Sequence, residues 1–434
     1  MLIPMDRAVS RRIRRANTDW WIGEKAVVAD NGLTYLVYVT DVGEIHIQSF
    51  SAKSRRIPTE DRCLCRLNTT YGDEHNAPSL CVTREGYLIV LYTGHNSGSC
   101  LYCRVSARPY DIDSFGPEQV LPYDGRVTYA QVFENTARGE IWLFTRVNST
   151  TWQFRRSADR CASWSEPVLL LSSDQGGLYY MTMRRLLVPT DAGAAERWFF
   201  AVYGHPVISK DHTVRCGLLD EAGRVLRCDG SDTGRSLFGT ASPVLEIPEL
   251  EIAYETPETE SVRLLAVSPT EPLRVAIAAF PDKTYTRADY RILRFREGRW
   301  QLSAPLCENL ECLAPGQTDG SQTYVDGMEF YFGAGDAALC ELHGSDNDTD
   351  RVFAAYRGPS DWILESYVTH DGGRTYPSEQ VIRRIPASTG RKLWRPTVPA
   401  FAQDNLPVYW HEGTYTAHTG GWHCDVHMLI DSDD

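Results

Sequence analysis

PSLCVTREGYLIVLYTGHNSGSCLYCRVS, residues 78–106, reads as three short strands joined by two polar turns. Its apolar runs, SLCV, YLIVLY and CLYCRV, are too short for helices, and TREG and TGHNSGS between them carry the glycine and polar residues that reverse a chain. No spacing of three and four links the apolar positions, so the stretch is a β-meander. The same unit lies on either side of it. KAVVADNGLTYLVYVTDVGEIHIQSF (25–50) precedes it and AQVFENTARGEIWLFTRVNSTTWQFRRS (130–157) follows it. Looser copies occur at 183–206, 263–295, 324–358 and 396–429.

About seven such units recur at a period of roughly 50–60 residues, the organisation of radially repeated β-blades with inserted loops. No Pro/Gly/Ser-rich linker divides them, so a single domain over residues 1–434 is expected. Closing the ring also removes the open sheet edges that so many short strands would otherwise expose. The expected fold is therefore all-β, a seven-bladed β-propeller.

Composition agrees with a folded chain: 42% of residues are hydrophobic, and 22 Tyr and 11 Trp supply large surfaces to bury. The formal net charge of -13 argues against nucleic-acid or anionic-membrane partners, which need a broad basic face. An acidic glycan remains compatible, because a local Arg and His cluster sets its own field. No apolar run is long enough to cross a membrane, and the basic opening MLIPMDRAVSRRIRRANTDWW lacks the apolar core of a signal peptide. A cytoplasmic location is the expectation, with a secreted or periplasmic one if a leader has been removed. Several of the 12 cysteines sit inside strand-like runs, where Cys acts as a small hydrophobe, and Cys100 with Cys103 has no second pair at zinc-ribbon spacing. Oligomeric state is left open.

Two segments, SADRCASW (157–164) and THDGGRTY (369–376), resemble the Asp boxes of sialidase-type propellers, with Cys161 where the first copy should have glycine. Asp159 and Asp371 suit the acceptance of turn N–H groups, and Trp164 and Tyr376 suit packing beneath. These boxes are expected to be structural and to lie away from any site. The RRIP segments at 55–58 and 383–386 place Arg where a sialidase motif has an aromatic residue, which weakens that reading.

Polar residues concentrate instead at strand ends in the second to fourth units: DEHNAPSL (73–80), TGHNSGS (93–99), RVTYAQVF (126–133), WLFTRV (142–147), LYYMTMRR (178–185) and VYGHP (202–206). In order and spacing they resemble the propeller polysaccharide lyases, including ulvan lyases and L-rhamnose-α-1,4-D-glucuronate lyases. WWIGEKAVVADNGLTYLVYVTDVGEI resembles that family's opening blade, and WRPTVP and LPVYWHEGTYT its closing one. The resemblance implies β-elimination on a uronate glycan, with His and Tyr moving protons and Arg on the carboxylate. His75, His95, Tyr129 and Arg146 are the catalytic candidates. Arg146 suits the carboxylate because its planar fork binds one bidentately, while Tyr129, His75 and His95 are open alternatives for base and acid. Asn76, Asn96, Gln131, Tyr180, His205 and Arg395 are the substrate-binding candidates, with Tyr179 an alternative to Tyr180.

No cofactor is expected for the reaction and no metal ligands are assigned; the acidic run SDNDTD at 345–350 lacks the Gly and distant Glu of an EF-hand loop and reads as a solvated turn, with a structural divalent cation, which the family resemblance allows, as the alternative. The histidines of HCDVH (423–427) read as an exposed polar strand face. Two other classes stay open: a glycoside hydrolase, since Asp73, Glu74 and Glu134 lie near the motifs, and a non-catalytic carbohydrate-binding propeller.

Overall fold

Strands form where aromatic and branched residues lie between turn signals, and they assemble into seven separate antiparallel sheets. The computed structural model describes residues 8–18, 22–51, 61–67, 72–172, 178–190, 193–204, 212–267, 272–281, 287–311, 328–331, 350–400, 408–417 and 420–431. Among the described residues there is no α-helix. The chain is a seven-bladed β-propeller.

Blade 1 contains Ala26–Val28, Leu33–Thr40, Glu44–Ser51 and Arg62–Arg66. Blade 2 contains Ser79–Val82, Leu88–Tyr92, Cys100–Val105 and Gln119–Pro122. Blade 3 contains Val127–Asn135, Glu140–Val147, Thr151–Ser157 and Val168–Ser172. Blade 4 opens with the long hairpin Tyr179–Thr190 and Gly193–Gly204, blade 5 with Ser261–Val267 and Arg274–Phe280, and blade 6 with Met328–Tyr331 and Asp350–Arg357. Blade 7 takes Lys392–Thr397, Tyr409–Ala417 and Gly421–Asp431, and its outer strand is Ala8–Ile13 from the beginning of the sequence. That last pairing closes the ring, and the opening residues gave no sequence signal for it.

The first strands of successive blades lie against one another around the axis. Blades 7 and 1 join through a parallel bridge between Ala400 and Val27. Because each blade is packed on both faces, its middle strands are apolar throughout, as in the fully buried Leu88–Tyr92. The largest core side chains, Trp142, Trp152, Trp198, Trp410 and Trp422, are fully buried. Burial of this kind stabilises at about 25 cal/mol per Å² of apolar surface, so these rings anchor the packing between blades.

The strand Ala8–Ile13 changes one expectation. It pairs Arg12 with His427, which is buried and faces Glu412, while His423 stays exposed. HCDVH is therefore not an open polar face, because the ring is closed over it. SDNDTD lies outside the described residues except for its last residue, Asp350.

Both Asp-box segments form the expected turns. Asp371 accepts hydrogen bonds from the Arg374 N–H at 3.0 Å, the Thr375 N–H at 3.0 Å and Thr375 Oγ1 at 2.6 Å. Asp159 does the same with the Ser163 N–H at 2.8 Å and Ser163 Oγ at 2.6 Å. Cys161 takes φ 71° where Gly373 takes φ 83°, so a side chain occupies a left-handed position that glycine normally fills. Each turn follows the third strand of its blade, at the end opposite to where the first strand begins. The end where first strands begin and second strands finish is left for the site.

Candidate functional site

At that end of blade 2, two loops meet. Asp73 caps the single turn Glu74–Asn76, its Oδ1 accepting the His75 N–H at 2.9 Å. The partner loop is fixed by Asn76, whose Oδ1 accepts the His95 N–H at 2.6 Å. These bonds stack the imidazoles of His75 and His95 with centroids 4.2 Å apart and planes within 8° of parallel. Both Nδ1 atoms face one carboxylate, His75 at 3.1 Å from Asp73 Oδ1 and His95 at 3.4 Å from Asp73 Oδ2. Burial works to raise the Asp73 pKa, but the hydrogen bonds and charge of the two histidines outweigh it and hold the carboxyl well below the usual range. Asp73 is therefore ionised, and a carboxylate facing Nδ1 places the ring proton there, leaving Nε2 as the acceptor nitrogen. The donor atoms of Asp73, His75 and His95 also lie within 4.8 Å of one another, close enough to hold a cation.

Blade 3 supplies the next two groups through a break in its own ladder. Thr128 pairs with Arg146 and Ala130 with Thr145, so Tyr129 is an extra residue in a β-bulge, at φ 56°. A left-handed conformation is uncommon for a bulky residue, and here it re-aims the ring. Tyr129 ends 6.1 Å from His75 and 6.0 Å from His95, centroid to centroid. Burial raises the Tyr129 pKa well above that of a free phenol; Tyr180 adds to the rise, and the guanidinium of Arg146 only partly offsets it. The phenol is protonated at neutral pH.

Arg146 is held between two aromatic faces, its Cζ 4.4 Å from the Tyr129 ring centroid and 5.0 Å from that of Tyr180. The residue is 1% exposed, yet its Nε and Nη1 have no hydrogen-bond partner among the described residues. A buried guanidinium without a carboxylate is costly, and its open donors match a planar anion. Tyr180 continues the row to Tyr203 at 5.5 Å, and of the alternatives Tyr179 and Tyr180 it is the one whose ring stands beside Arg146.

The remaining candidates fall differently. Asn96 sits beside His95 at φ 49°, and its buried Oδ1 has no partner among the described residues. Gln131 departs from expectation: its Nε2 donates to the Met181 carbonyl at 3.1 Å and its Oε1 accepts the Met183 N–H at 2.8 Å. Both ends of the amide tie blade 3 to blade 4, and the side chain is fully buried, so it does not face a sugar. Arg395, in a left-handed bulge of blade 7, donates from Nη1 to the Leu265 carbonyl of blade 5 at 3.1 Å. Its charge also acts on Lys25 and Tyr203. His205 lies outside the described residues.

Lys25 was missed. Gly23, at φ 84°, has room for no Cβ, because Ala130 O and Ser79 Oγ would stand 2.4 and 2.7 Å from it. This close approach threads the segment between blades 2 and 3, and Lys25 Nζ then donates to the carbonyls of Ile22 at 2.7 Å and Ala77 at 3.4 Å. Burial, helped by the charges of Arg184 and Arg395 and opposed by Glu24, lowers its pKa to about 7. Lys25 braces the His75 loop from beneath. The signal available was a lysine one step before the apolar run AVVA.

The carboxylates near the motifs do not form a catalytic pair. Glu74 is buried and accepts the Tyr415 hydroxyl at 2.6 Å, while Glu134 accepts the Arg84 N–H at 2.6 Å near the opposite end of its blade. Asp73 is committed to the histidines.

Residues 33–187 match the model of the BNR repeat-containing family, a stretch that includes the two histidines, Tyr129, Arg146 and Tyr180. An ulvan lyase of the PL25 group from Pseudoalteromonas sp. (strain PLSV) is 25% identical over 196 residues, 40% of this chain and 36% of that protein. An ulvan lyase of Alteromonas sp. (strain LOR) is 25% identical over 195 residues, 40% and 37% of the two chains. The chain thus spans little more than a third of the length of these curated relatives. Across the whole fold, a solved PL25 ulvan lyase bound to -[GlcA(1-4)Rha3S]- matches with a TM-score of 0.64 at 17% identity, covering 97% of this chain and 96% of that one. The polysaccharide lyase Uly1 matches with a TM-score of 0.56 at 9% identity, covering 100% of both. The propeller fold and the resemblance to propeller polysaccharide lyases of the ulvan lyase type both stand.

Proposed function

We propose that this chain is a carbon–oxygen lyase that cleaves a glycosidic bond at a uronate in an acidic polysaccharide or oligosaccharide by β-elimination. The observation that carries the proposal is Arg146, buried between Tyr129 and Tyr180 with guanidinium donors unpartnered and two paired histidines beside it. The proton on C5 of a uronate is weakly acidic until its carboxylate is neutralised, and a preorganised guanidinium in a dry site provides that charge.

In this reading the C5–H bond breaks towards Nε2 of one of the imidazoles, whose new charge is balanced by Asp73. The C4–O4 bond breaks as the C4–C5 double bond forms, and the protonated phenol of Tyr129 delivers its proton to O4. Asn96 and Tyr180 then serve as sugar contacts, and Arg395 as the group facing a second acidic substituent. The reaction needs no cofactor, so treatment with a chelator leaves the rate unchanged. Incubation with a panel of uronate polysaccharides tests the proposal. Ultraviolet absorbance of an unsaturated uronate is expected; product sugars without that chromophore signify a hydrolase, and glycan binding without any product signifies a binding protein.

A further inference from the structure

Blade 1 carries a second cluster, on its outer face. Glu44 and His46 are two residues apart in the strand Glu44–Ser51 and so share a face, while Ile45 and Ile47 point into the core. In a regular ladder Cys63 and Cys65 of the edge strand would both follow Ile45 and Ile47 inward. A bulge prevents this: Ile45 pairs with Cys65, but His46 pairs with Cys63. Leu64 is the extra residue, and it turns Cys63 outward opposite His46. The donor atoms of Glu44, His46 and Cys63 all lie within 4.8 Å of one another.

The imidazole is held as a metal-ligating imidazole is. Its Nδ1 lies 2.7 Å from Asp61 Oδ2, the same oxygen that accepts the Tyr38 hydroxyl at 2.6 Å, and the Tyr38 ring stacks on it at 5.4 Å. A carboxylate on Nδ1 fixes the proton there and turns the Nε2 lone pair the other way. That lone pair faces Glu44 Oε2 at 3.3 Å, two acceptors with nothing to share unless a proton or a cation lies between them. Arg66 holds the other oxygen, Oε1, and so orients the carboxylate.

We propose that Glu44 Oε2, His46 Nε2 and Cys63 Sγ bind one divalent cation of the zinc class, with solvent as fourth ligand. The nitrogen, sulfur and oxygen donors suit a tetrahedral zinc site rather than calcium or magnesium, which take oxygen ligands. Binding converts the Cys63 thiol to thiolate and releases its proton to solvent. The ion clasps the edge strand Arg62–Arg66 to its neighbour, at the opposite side of the sheet from the axial site.

Cobalt(II) titrated into the metal-free full chain is the test, because a thiolate ligand gives a charge-transfer band in the near ultraviolet. One equivalent is expected to develop that band together with the intense visible bands of tetrahedral cobalt, and zinc to displace it. Cys63→Ser should abolish the charge-transfer band, and Asp61→Asn should weaken binding by about ten- to a hundredfold through the loosened imidazole. The Asp73, His75 and His95 group contains no sulfur, so it cannot produce the band. Absence of the band in the unaltered chain, or its persistence in Cys63→Ser, overturns the proposal. A zinc-dependent rise in melting temperature that is present in the unaltered chain and absent from Cys63→Ser supports it independently; equal rises in both count against it.

Discussion

The two ends of blade 3 are built from the same strands and differ in how they treat their polar groups. At the Asp-box end, Asp159 is ringed by Ser157 and Ser163, and the turn accepts a left-handed Cys161 because its hydrogen bonds hold it. At the axial end, Tyr129 is equally left-handed, but the guanidinium beneath it has open donors. Strain is present at both ends; the charged group is satisfied at only one. A buried charge that the fold leaves unpartnered stabilises nothing by itself, which is the physical ground for assigning the axial end to a ligand and the other to stability.

The largest effect should come from breaking that contrast at Arg146. Arg146→Met is expected to lower kcat/KM by roughly two to three orders of magnitude, while urea midpoints stay level or rise, because a desolvated charge is replaced by an apolar chain. A stability loss of several kcal/mol would make Arg146 a structural residue and erase the distinction between the ends. Tyr129→Phe follows. It keeps the bulge and the ring but removes the phenolic proton, so kcat should fall by about a hundredfold or more with oligosaccharide affinity retained. Unchanged turnover would remove Tyr129 from the chemistry.

Asp73→Asn sharpens the picture with a smaller change, on the order of tenfold in kcat with little change in KM, since Asp73 acts through the two imidazoles. Its folded-state pKa is depressed, so its contribution to stability is fully present above the ordinary carboxylate pKa of about 4 and is lost as pH falls below it. Melting temperatures of the two proteins should therefore differ above about pH 4 and converge in stronger acid. A gap that persists undiminished into stronger acid would mean that Asp73 is not held as an anion by the histidines.

How far the sequence could be read follows from the same physics. Continuous apolar runs such as LIVLY and paired turn motifs are local, so the blades were visible from residues alone. The order of His75, His95, Tyr129 and Arg146 was visible too, because each sits at a strand end. What stayed hidden depends on contacts remote in sequence. Gln131 looked like a site residue because it follows Tyr129 by two, but its amide reaches the backbone of the next blade. Lys25 carried no local signal for its place, which Gly23 sets by threading it beneath the His75 loop. The closing strand Ala8–Ile13 is mostly polar and takes its place from its partner, Gly421–Asp431, rather than from its own pattern.

The smallest expected effect belongs to the other end of the comparison. Burial works to raise the Asp371 pKa, but hydrogen bonds from Thr375, Thr369 and Arg374, which anchor the turn, outweigh it and lower the pKa to about 2. Asp371→Ala removes an ionised acceptor from N–H and hydroxyl donors that water can partly replace, so the loss should be about 1–2 kcal/mol in urea unfolding. Activity per folded molecule should not change, because the turn lies at the far end of its blade and on a different blade from the histidines and Tyr129. A drop in kcat at full folding would mean that strain at one end of a blade is transmitted to the other. The rigidity of a sheet packed on both faces makes the opposite outcome the expected one, with the axial cluster set by its own bulge and loops.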